Sequence, residues 1–104
     1  MSDLITQLGS DARVRAACER NGVRALYLFG SRTRPGEARD ESYIDLLVSF
    51  RPMEPHDLVD AYFGLKDDLA DALEVEVDLV MESALTNRYL RENIDRTKRM
   101  LYAA

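Results

Sequence analysis

The alternation of apolar and polar positions divides the chain into a helix, two strands, a helix, a strand and a last helix. Leu4, Ile5, Leu8, Ala12, Ala16 and Ala17 recur at three- and four-residue spacing, which predicts a helix over 3–20. Gly9-Ser10 weakens its middle, so two short helices are the alternative. Asn21-Gly22 reads as its stop. Residues 23–29 are apolar on both faces apart from Arg24, as in a covered central strand. Residues 31–36 predict a turn of helix at most, ended by Pro35-Gly36, and residues 37–42 a charged loop. Residues 43–50 alternate, with Tyr43, Asp45, Leu47 and Ser49 on one face and Ile44, Leu46, Val48 and Phe50 on the other. After a loop at 51–55, Leu58, Tyr62, Leu65, Leu69 and Leu73 form the apolar stripe of a helix over 56–73. Residues 75–81 predict a third strand, with Glu76 and Asp78 on one face. Leu90, Ile94, Thr97 and Leu101 predict a last helix over 86–102.

The stretch 25–50 carries the candidate chemistry. Gly30, just behind the first strand, lets the backbone turn sharply and approach a ligand closely. Ser31 can cap the turn that follows. Backbone N–H groups there suit a phosphate, and Arg32 and Arg34 add donors of matching charge. Asp45 then enters on the next strand. A phosphate cradle beside an acid is the layout of a phosphoryl- or nucleotidyl-transfer site. The bland readings are a solvated turn for the two arginines and a strand-end carboxylate for Asp45.

In Gly30-Ser31, Asp45 and Asp78, ordered on successive strands, the chain resembles the polymerase-beta-type nucleotidyltransferase superfamily, above all its minimal nucleotidyltransferase (MNT) branch. The resemblance covers roughly residues 24–80 and implies an α/β (α+β) domain, a small mixed sheet with helices packed on one face. It implies transfer of AMP from ATP with Mg²⁺ or Mn²⁺. It makes Asp45 and Asp78 the catalytic, metal-holding acids and Gly30 and Ser31 nucleotide-binding residues, to which Arg32 and Arg34, by their charge, add phosphate-binding candidates. The family's first acid is absent, because Tyr43 occupies its position in Ser42-Tyr43-Ile44-Asp45. A phenol titrates near ~10, so at neutral pH it is a poor Mg²⁺ ligand. Glu76 and Glu41 are nearby substitutes, though the family pattern includes neither.

MNT proteins of this size are commonly the antitoxin of a toxin–antitoxin pair. They neutralise a HEPN-domain ribonuclease by adenylylating a tyrosine in it, by binding it directly, or both. The resemblance therefore implies a HEPN-domain partner and a hetero-oligomer. Two classes of function compete: a working protein adenylyltransferase, and a degenerate fold that acts only by binding its partner. Position 43 separates them.

Composition narrows the setting. A chain of 104 residues predicts one domain. A formal net charge of −5 argues against non-specific binding to long nucleic acid. No apolar run approaches the ~18 residues of a membrane span, and no signal peptide is expected. The single cysteine, Cys18, excludes an intrachain disulfide and suits a reducing cytoplasm; its bland reading is a small buried hydrophobe. The basic residues Arg88, Arg91, Arg96, Lys98 and Arg99 read as a solvated face, or as a docking surface. His56 reads as a surface helix start.

Overall fold

The computed structural model describes residues 8–29 and 43–104. Residues 8–10 are helical, the helix breaks at Asp11, and α1 (Ala12–Arg20) restarts. Asp11 causes the restart: its side chain accepts a hydrogen bond from the Arg13 backbone N–H at 2.8 Å, as an N-cap does. Of the two readings of this region, the interrupted one is right. Gly22, at φ 68, adopts the left-handed turn that the Asn21-Gly22 stop requires.

The chain continues through β1 (Val23–Leu28), β2 (Tyr43–Phe50), α2 (Pro55–Leu73) and β3 (Glu76–Met81). A single 3₁₀ turn at Glu82–Ala84 leads to α3 (Arg88–Thr97) and β4 (Arg99–Ala103). Among the described residues, the strands form one four-stranded sheet in the order β3-β2-β1-β4. β1 runs antiparallel to β2 and β4, whereas β2 and β3 are parallel. The sheet is mixed because α2 carries the chain back between β2 and β3, which a parallel pair demands.

One sheet face is the core. Leu26, Leu28, Ile44, Leu46, Val48, Val77 and Leu79 pack with Val14, Ala17 and Cys18 of α1 and Leu65 and Leu69 of α2. α2 is fixed further by the Tyr62 hydroxyl, which donates to the Leu79 carbonyl at 2.7 Å. Asn21 donates to Asp68 at 2.9 Å and ties the end of α1 to α2. Gly64 leaves room for that contact, since a Cβ there would collide with the Asn21 side-chain oxygen.

The C-terminal region corrects the sequence reading. The helix predicted over 86–102 stops at Thr97, and residues 99–103 form a strand on the edge of β1. The stripe Leu90, Ile94, Thr97, Leu101 has helical spacing, so local pattern could not show the break. The deciding interaction is non-local: β1 has unpaired backbone groups on its outer edge, and β4 satisfies them.

Cys18 is fully buried in the core. Burial, and then the Glu19 carboxylate, pushes its thiol up to about 12. The folded value exceeds the unfolded one. The associated stability is therefore present below the unfolded value near ~8.5 and is lost as pH climbs towards the folded one. A thiol reagent near pH ~8 should leave Cys18 unmodified in the folded protein and label it fully in denaturant. Equal labelling rates in both conditions would contradict its burial.

Candidate functional site

Strand alternation builds the site. On β2, Ile44, Leu46 and Val48 are buried under the helices, which turns Asp45 to the opposite face. On β3, Val77 and Leu79 are buried, while Glu76 and Asp78 are exposed. The parallel register makes Asp45 and Asp78 direct partners, with position 43 opposite Glu76 one step earlier. Neighbouring strands lie about 4.8 Å apart, so two carboxylates from 45 and 78 share one local surface.

The Phe29 backbone N–H donates to the Asp45 carbonyl at 3.2 Å, so the chain leaves β1 beside Asp45. Gly30, Ser31, Arg32 and Arg34 follow in sequence and lie outside the described residues. The structure thus brings Asp45 and Asp78 together, as the sequence order requires.

Lys98 is a cation that sequence reasoning assigned elsewhere. The sequence pattern places it with the basic stripe of the last helix, yet its ammonium lies 4.6 Å from the ring centre of Tyr27. Tyr27 pairs with Leu47, which shares a face with Asp45. The signal was hidden because Lys98 follows the helix end that sequence spacing did not reveal.

Two other features are separate from the acid pair. A cavity of about 400 Å³ is lined by Ser49, Arg51, Glu82, Ser83 and Arg91, at the far ends of β2 and β3. His56, Asp57 and Asp60 cluster at the start of α2, with His56 Nδ1 at 3.5 Å from Asp57 and 3.9 Å from Asp60. All three are exposed, and Asp57, in the first helical turn, is accounted for by the helix dipole.

The sequence pattern of the family described as polymerase beta, nucleotidyltransferase matches residues 13–104. The chain belongs to this family. The nucleotidyltransferase domain is similar to a Methanocaldococcus jannaschii protein named as a protein adenylyltransferase, at 38% identity over 77 residues, 74% of each chain. It is similar to a solved structure described as a minimal nucleotidyltransferase, at 36% identity and TM-score 0.71, covering 94% of this chain and 95% of the other. It also shares its fold with a chain in the structure of a tri-AMPylated Shewanella oneidensis HEPN toxin with its MNT antitoxin. That likeness has 21% identity and TM-score 0.63 and covers 97% of this chain and 74% of the other. The fold class expected from the sequence is therefore the observed one. Among the described residues, no helix is long and apolar enough to cross a membrane.

Proposed function

We propose that this domain is an MNT-type antitoxin that neutralises a cytoplasmic HEPN-domain ribonuclease by transferring AMP from ATP to one of its tyrosines and by binding it directly. The observation that carries this reading is the in-register pair Asp45 and Asp78, on the sheet face opposite Ile44, Leu46, Val77 and Leu79, in a nucleotidyltransferase domain. The named activity of the Methanocaldococcus relative and the MNT–HEPN pairing of the Shewanella structure supply the acceptor class.

The donor set fits a hard divalent cation, since Asp45 and Asp78 offer carboxylate oxygens, which Mg²⁺ and Mn²⁺ prefer. When bound, such cations neutralise charge that develops at the phosphorus and orient the reacting oxygens. In the reaction, the acceptor tyrosine hydroxyl gives up its proton to solvent as its oxygen bonds to the α-phosphorus of ATP, the bond from that phosphorus to the oxygen bridging to the β-phosphate breaks, and pyrophosphate leaves. In this reading Gly30 and Ser31 are the turn that receives the triphosphate, and Arg32 and Arg34 are the partners of its β- and γ-phosphates. Charge-assisted hydrogen bonds contribute on the order of 1.5–3 kcal/mol. Arg32→Ala should therefore weaken ATP binding about ten- to a hundredfold by titration calorimetry. A change under about twofold would make Arg32 a surface residue.

A second reading rests on Tyr43, which stands where the family carries an acid. In it the domain binds the partner and transfers little or no AMP. Mixing the domain with the HEPN-type partner, with and without ATP and Mg²⁺, separates the two. An AMP-sized mass increase on a partner tyrosine supports transfer, and inhibition of the ribonuclease without ATP supports direct binding. If neither occurs, the antitoxin assignment is wrong.

A further inference from the structure

Position 43 lacks a carboxylate, yet the structure places one directly across from it. Tyr43 and Glu76 are register partners in the β2–β3 pair, as Asp45 and Asp78 are. We propose that Glu76 supplies, from the neighbouring strand, the third carboxylate of the divalent-cation site that position 43 does not provide. This inference rests on the reading of Asp45 and Asp78 as cation ligands.

The geometry supports the exchange. Positions 43, 45, 76 and 78 make a two-by-two patch on one sheet face, about 4.8 Å across the strands. Moving the third acid from 43 to 76 keeps it within that patch but shifts it one strand spacing sideways. Glu is one methylene longer than Asp and has an additional rotatable bond, which suits the longer reach. Glu76 is exposed, so no packing holds its side chain away.

Electrostatics points the same way. Asp11, Asp68, Glu82, Glu92 and Asp95 each pair with an Arg or Lys. Among the described residues, Glu76 and Asp78 have no such partner. Two acids two positions apart on one strand face, without a basic partner among the described residues, favour the approach of a cation. The alternation of β3 requires only that 76 and 78 face outwards. It does not require both to be acidic.

The test is Mn²⁺ binding in the presence of a non-hydrolysable ATP analogue, followed by electron paramagnetic resonance. Glu76→Gln is made in the native background and in the Tyr43→Asp background. Glu76→Gln should weaken Mn²⁺ binding about tenfold or more in the native chain and less than about twofold once Asp stands at 43. Asp45→Asn and Asp78→Asn should weaken it in both backgrounds. Unfolding midpoints measured for every variant separate ligand loss from misfolding. If Glu76→Gln is silent in the native chain while Asp45→Asn and Asp78→Asn are damaging, Glu76 is not a ligand and the two-acid site stands. An equal loss in both backgrounds would make Glu76 a ligand independent of position 43 and overturn the replacement. If the native chain binds no Mn²⁺, or no variant changes its affinity, the site assignment itself falls.

Discussion

Tyr43→Asp should raise the rate of AMP transfer to a HEPN-type partner about a hundredfold. Metal ions contribute several kcal/mol to stabilising charge at a transferring phosphoryl group, and about 1.4 kcal/mol corresponds to a factor of ten. If the missing ligand accounts for ~3 kcal/mol of that contribution, the gain is about two decades. Glu76 can hold a cation without restoring the full rate, because Mg²⁺ tolerates little departure from octahedral geometry. The register supports the direction of the effect: position 43 lies two residues before Asp45 on the same strand, so an Asp there shares its face. The substitution should not cost the fold, because position 43 begins β2 and the core face of that strand is carried by Ile44, Leu46 and Val48. The measurement is incorporation of labelled AMP into the partner under single-turnover conditions. Equal rates for the native chain and Tyr43→Asp would mean that transfer does not need the first carboxylate.

The second large effect is on stability. Leu26 is fully buried in β1, which has β2 on one side and β4 on the other. Leu26→Ala should cost about 2–5 kcal/mol, the transfer term plus the cavity left behind. That is a large part of the roughly 5–15 kcal/mol typical of a domain. In urea the unfolding midpoint should fall sharply with little change in slope. Val59→Ala is the comparison, since Val59 is 55% exposed and should shift stability by no more than about 0.5 kcal/mol. A small effect at Leu26 would mean that the core repacks around the gap.

The sequence was informative wherever local period and burial agree. The alternation of residues 43–50 placed Asp45 opposite Ile44 and Leu46, and the structure buries the latter two and turns Asp45 to the other face. The order of Gly30-Ser31, Asp45 and Asp78 identified the family, and the pairing of 45 with 78 follows from it. What escaped was non-local. Nothing between Arg88 and Leu101 says that β1 has an edge to fill, so the local pattern continues the helix through β4 and carries Lys98 with it. The pairing of Tyr43 with Glu76 was equally invisible, because it depends on the register across the β2–β3 pair and not on spacing along either strand. Gly30, Ser31, Arg32 and Arg34 lie outside the described residues, so the role proposed for them rests on the sequence.

Among the described residues, the order β3-β2-β1-β4 leaves β3 as an outer strand, and it is the strand that carries Glu76 and Asp78. An open strand edge is a template on which another chain can add, and charge is a common protection against such addition. The same acids that would hold a cation therefore also guard the sheet against self-association. Neutralising both at once removes that protection along with any ligand, so the doubly amidated protein should be the one that precipitates on storage.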